Sequence, residues 1–193
     1  MKRTCYIGLL IIALLACSSL LRAETAKELH AKGEEAYKAK NYEKAVQYYT
    51  EALKIEPKRY ETVYSRGVNY YKLAEHEKAL QDFSQVKGIK GIDYHAWHYI
   101  GLIYSQDANY PEALVAFKKA AYLQPKNMLY WLNTARTAAK MKDWKASELF
   151  YDRALALDPK NDEAYQGARY ARWANSKGGE KKAKQAPQDR RKH

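Results

Sequence analysis

Cysteine is nearly absent from this 193-residue chain: Cys5 and Cys17 are its only two copies, and both precede Arg22. The rest of the chain therefore has no thiol, which excludes a disulfide framework, a cysteine nucleophile and thiolate metal ligation there. Glycine is sparse, nine residues in all, and nowhere gathers into a turn that could wrap a phosphate. No serine sits in a strand-to-helix elbow, because no stretch reads convincingly as a strand. The carboxylates scatter, and Asp82, Asp143 and Asp158 read as residues of hairpin ends and solvated surface. His95 and His98, three apart, share one helix face, but two ligands are half a metal site and no third has matching spacing. No catalytic residue, metal or cofactor is expected, and the chain reads as a non-enzyme.

Long apolar runs are missing too, except at the start. Lys2 and Arg3 precede an almost unbroken apolar stretch from Tyr6 to Ala16, and polar sequence takes over from Arg22. The stretch is shorter than the roughly 20 residues needed to span a bilayer. It fits a removable export signal. Two cleavage sites compete. Leu14-Leu15-Ala16-Cys17 resembles the lipobox of bacterial lipoproteins, which implies removal of residues 1–16 and acylation of Cys17, although Leu15 stands where that motif usually has a small residue. The rival is an ordinary cut after Ala23, with residues 1–23 as signal peptide. Either way the mature chain is expected across the inner membrane, periplasmic, free or lipid-anchored through Cys17.

Charge is unevenly placed. The chain carries 34 Lys+Arg against 22 Asp+Glu. Without the first 23 residues the balance is 31 against 22, and the end from Lys177 to His193 supplies +5 of the remaining +9 through seven basic and two acidic residues. The folded part is only mildly basic, which argues against nucleic acid as partner. Residues 176–193 have no apolar groups to bury and read as a disordered basic tail.

What the sequence does have is a period. Gly33, Gly67 and Gly101 are 34 apart and Ala135 takes the next place; Ala45, Ala79, Ala113 and Ser147 keep the same step. So do Tyr49, Phe83, Phe117 and Tyr151, then Ala52, Val86, Ala120 and Ala154. Ile55, Ile89, Leu123 and Leu157 follow, and Pro57, Gly91, Pro125 and Pro159 close each unit. A fixed step of this length indicates a stack of like units. Within a unit, Trp97, Ile100, Gly101 and Tyr104 form one helical stripe and Ala113, Phe117, Ala120 and Leu123 another, so each unit is a pair of antiparallel helices. Asp107-Ala108-Asn109 separates the two helices, and Gln124-Pro125 ends the unit. One such hairpin cannot bury both stripes, so neighbours complete the core.

The 34-residue step, with its Gly, Ala, aromatic, Ala and terminal Pro, resembles the tetratricopeptide repeat. The resemblance covers residues 26–59, 60–93, 94–127 and a divergent fourth unit at 128–161. It implies an all-α, right-handed α-solenoid of about four repeats. Residues 162–175 read as a capping helix, with Tyr165, Ala168 and Arg172 in the first-helix register and Arg169 in the glycine's place.

In that family the concave wall of first helices is the usual peptide-binding groove. With the core stripe removed, the groove side of the first unit presents His30, Glu34 and Tyr37, and the second presents Tyr64, Ser65 and Tyr71. The third adds His95, His98, Tyr99 and Leu102, and the fourth Leu129, Leu132, Asn133 and Arg136. Tyrosine and arginine are good interface formers, and the three leucines form an apolar patch that wants covering. The family's carboxylate clamp, Lys and Asn followed by Asn in the next unit, meets His30, Glu34 and Ser65 instead, so capture of a C-terminal carboxylate is not expected.

The reading is a protein–protein interaction module, a periplasm-facing adaptor or assembly factor that binds a protein segment in its groove. The alternative is a structural or self-association module whose basic tail contacts anionic lipid or cell-wall polymer. A small ligand among the groove aromatics ranks last, since an open cradle seldom encloses one.

Overall fold

The computed structural model describes residues 24–176. The expected signal segment with Cys17 and residues 177–193 of the basic tail lie outside the described residues. Among those described there are nine α-helices and no strand. They are α1 (Ala26–Lys38), α2 (Tyr42–Ile55), α3 (Tyr60–Lys72), α4 (His76–Val86), α5 (Asp93–Gln106), α6 (Tyr110–Leu123), α7 (Met128–Lys140), α8 (Trp144–Leu157) and α9 (Asp162–Asn175). Each packs on the helix before it and the helix after it, and the chain is an all-α solenoid of helix pairs. No described helix is long and apolar enough to cross a membrane.

The turns inside the hairpins repeat as faithfully as the helices. Lys40, Ala74, Ala108 and Lys142, each 34 from the last, have φ between 56° and 60°. Each is the left-handed residue of a Schellman stop. In the first, Asn41 N–H donates to the Ala36 carbonyl and Lys40 N–H to the Tyr37 carbonyl, both at 2.9 Å, and the same two bonds recur in the other three. The residue after the stop begins the next helix: Asn41 and Asp143 accept through their side chains from the N–H groups of Lys44 and Ala146. The left-handed region costs an L-residue other than glycine about 1–2 kcal/mol. Ala108 is exposed and buries nothing. Ala108→Gly is therefore expected to raise unfolding stability by about 1 kcal/mol, read as a higher urea midpoint at unchanged slope.

Small residues admit rings between the helices. A Cβ placed on Gly33 would lie 2.5 Å from the Tyr49 ring, and one on Gly101 2.6 Å from that of Phe117. The fourth unit solves the same problem differently. Ala135 fills the glycine's place, and the space for the Tyr151 ring comes from Gly167 in α9, where a Cβ would lie 2.3 Å away. Arg169, in the glycine's register place, is exposed, and Ala164, Ala168 and Ala171 are the buried residues of α9. Tyr165 and Arg172 face solvent; Arg172 pairs with Glu148 and Asp152 of α8.

The second unit ends without proline. Gly91, at φ 98°, turns the chain after the shorter α4. Asp82 also departs from its surface reading. It is 3% exposed as a side chain, and Arg66 of α3 donates to both its oxygens, Nε to Oδ2 at 2.9 Å and Nη2 to Oδ1 at 2.8 Å.

Candidate functional site

The side chains assigned to the inner wall meet around a pocket of ≈ 190 Å³ near the start of the solenoid. Helix α1 supplies Glu34 and Tyr37, α2 Tyr49, α3 Tyr64, Ser65, Val68 and Asn69, and α5 Tyr99. Five of the sequence-derived groove residues thus converge at one place. The Tyr49 hydroxyl donates to Glu34 Oε1 at 2.8 Å, and the Ser65 hydroxyl reaches the same oxygen at 3.3 Å. His30 closes one flank, bonded through Nδ1 to the Thr62 hydroxyl at 2.9 Å. Burial lowers its pKa more than Glu34 raises it.

A run of rings extends from the pocket along the wall. Tyr99 stacks on Phe83 with centroids 5.1 Å apart and meets Tyr71 edge-on at 5.3 Å. Tyr64 lies against Phe83, His95 and Tyr99. Burial first, then the neighbouring phenols, holds the Tyr64 hydroxyl well above the ordinary tyrosine range, and the same causes push Tyr130 up to about 12. The Tyr64, Tyr99 and Tyr130 phenols are neutral at physiological pH.

At the far end a chain of hydrogen bonds fixes a histidine. Arg136 Nη1 donates to Asn133 Oδ1 at 2.9 Å, so the Asn133 amide nitrogen is the atom that faces His98 Nε2, also at 2.9 Å. An amide nitrogen can only donate, hence His98 accepts there and is a neutral imidazole. Burial, with His95 beside it, lowers its pKa to about 4. The unfolded chain binds this proton from about pH 6.5 downward while the folded chain does not, so the contribution is whole above pH 6.5 and lost as pH falls toward 4. Stability is expected to fall by on the order of 2 kcal/mol across that window. Urea midpoints measured from pH 7 to 4 should show a shallower decline in His98→Gln.

Not every assigned residue faces the groove. Leu132 is buried in the core with Tyr130, Trp131 and Phe150, so the expected three-leucine patch does not form. Leu129 is 47% exposed, Leu102 is half-buried, and Asn133 is buried. Arg136 spends its guanidinium on Glu163 of α9 as well as on Asn133. His95 and His98 take separate partners, Tyr130 and Asn133, and no group of three His, Cys, Asp or Glu among the described residues could hold a metal.

Sequence reasoning missed Asn69, Tyr49 and Tyr130 as members of the wall. Asn69 had a signal: it occupies the place that Ile103 holds in the third unit, a polar group where the repeat buries an aliphatic one. A second hollow, of ≈ 550 Å³, was also missed. It lies between α5 and the second helix α6, around Trp97, Val115 and Tyr122, with Lys87 and Lys119 placed over the Trp97 ring.

Tetratricopeptide repeat models match residues 26–59 and 100–162. The chain belongs to the tetratricopeptide repeat family. Among solved structures, a MamA protein superposes with a TM-score of 0.71 at 17% identity, over 83% of this chain and 86% of that one. MamA from Desulfovibrio magneticus RS-1 gives 0.64 at 22% identity, over 71% and 77%. YrrB, described as a tetratricopeptide protein with an unusual peptide-binding site, gives 0.64 at 19%, over 75% and 74%. These likenesses establish the tetratricopeptide fold. No curated protein sequence matches the chain.

Proposed function

We propose that this tetratricopeptide chain is a non-catalytic adaptor that holds a segment of another protein along the wall formed by α1, α3, α5 and α7. The observation that carries this reading is the convergence of Glu34, Tyr37, Tyr64, Ser65 and Tyr99 on one open pocket of that wall. Half-buried phenols offer large contact area at little entropic cost, the usual composition of an interface centre. The peptide-binding site named for YrrB supports the same use of the fold. The N-terminal sequence, with its short apolar run between basic residues, motivates placing the adaptor in the periplasm, free or anchored through Cys17.

The test starts from peptides selected out of a random library on the full chain. Tyr37→Ala, at the pocket, is expected to weaken the selected peptides about 30-fold, the size of an interface hot spot. Val115→Ala, beside Trp97, is expected to change their affinity less than twofold. Binding that ignores Tyr37 and responds to Val115 overturns the reading.

A further inference from the structure

Among the described residues, Glu34 is the only charged one lining the inner pocket. Tyr49 and Ser65 both address its Oε1, and His30 Nε2 stands 3.8 Å from the same atom, beyond hydrogen-bond reach. Oε2 takes no protein partner among the described residues. Asn69 lines the pocket too, and its residue is 1% exposed. Its amide nitrogen donates to the Ser65 carbonyl at 2.8 Å, which fixes the orientation of the group. Oδ1 is left buried with no hydrogen-bond partner among the described residues. A buried acceptor without a donor is uncommon in a folded protein and asks for an explanation.

The rest of the lining has the same electrical sense. Tyr37, Tyr49, Tyr64 and Tyr99 bring four aromatic rings to the lining, and the face of such a ring is negative and attracts cations. Among the described residues no cation lines the pocket. Arg59 turns to Glu56 at 3.3 Å, and His30 beside the pocket is held toward its neutral form by burial. A carboxylate and aromatic rings in one lining, with an unpartnered amide oxygen among the lining residues, favour positive charge with N–H groups to give. At ≈ 190 Å³ the pocket is smaller than the ~300–1,000 Å³ of small-molecule sites, and fits one long side chain.

We infer that this pocket receives a lysine or arginine side chain of the bound segment, as the charged anchor of recognition. The inference rests on the groove reading above and adds the chemistry of its anchor. It is opposite in sign to capture of a C-terminal carboxylate.

The experiment uses the library-selected peptides and the full chain, with affinities read by calorimetry. Each peptide is expected to hold one lysine or arginine whose replacement by norleucine or citrulline weakens binding at least tenfold. Glu34→Gln keeps an oxygen for the Tyr49 hydroxyl and removes the charge. It is expected to weaken the parent peptide at least tenfold and to leave the norleucine or citrulline peptide unchanged, the mark of one shared interaction. Peptides that depend on Tyr37 yet lose nothing with any basic residue, or nothing with Glu34→Gln, overturn the cationic anchor and leave the groove reading standing. Failure to select a peptide that depends on Tyr37 overturns both.

Discussion

Asp82→Ala is expected to destabilise the chain by about 3–5 kcal/mol, the cost of stranding one charge of a buried pair. Asp82 and Arg66 face each other across α3 and α4, and Arg66 also reaches Thr50 of α2 at 3.5 Å. The repeat says what else this place accepts. One step on, the same two positions hold Ile100 and Ala116, both buried; in the first unit they hold Lys32 and Tyr48, the ammonium 5.9 Å from the ring centroid. Copying the third unit, Arg66→Ile with Asp82→Ala, is expected to return stability to within about 1 kcal/mol of the parent, because an apolar pair escapes the desolvation cost of the ions. Urea unfolding of the single and double variants measures both. A double variant no better than the single would show that the pair is needed for more than filling its place.

Gly167→Val is expected to cost about 1–3 kcal/mol through overpacking. Its Cβ would stand 2.3 Å from Cζ of the Tyr151 ring, which is itself buried and has Ala135, not glycine, at the repeat's crossing place. In a solenoid each unit touches only its neighbours, so damage at the end is local. Amide exchange should accelerate throughout α9 and the end of α8 while α1 to α4 keep their protection. Arg169→Ala, exposed two residues on, should change nothing measurable. Equal effects at both sites would contradict the packing described for the cap.

The 34-residue step makes the architecture legible in the sequence, because helix boundaries, turns and the glycine–ring crossings all repeat with it. The wall was legible in part. Glu34, Tyr37, Tyr64, Ser65 and Tyr99 fall on the inner side by helical phase alone, and the structure gathers them at one pocket. Phase alone failed where an inner helix touches two hairpins. A first helix packs on its own partner and also on the preceding unit, and the second contact buries a further stripe: Thr62 and Asn69 in α3, Ala96 and Ile103 in α5, Tyr130 and Thr137 in α7. Counting one stripe leaves Tyr130 and Asn69 unassigned and Leu132 seemingly outside. Asp82 was misread for a related reason. A carboxylate reads as surface until its partner, sixteen residues earlier on another helix, is placed beside it.

The central claim is that the wall of first helices, and not the opposite side, meets the partner. Photocrosslinking in the native host tests it most directly, with the reactive residue at Lys72 or Leu129, both exposed on first helices, and at Val115 on α6. The account predicts that Lys72 and Leu129 trap the same protein, that the trapped adduct is lost when a Tyr37-dependent peptide is added in excess, and that Val115 traps nothing in common with them. Trapping from Val115 alone would contradict it and move the partner to the Trp97 side.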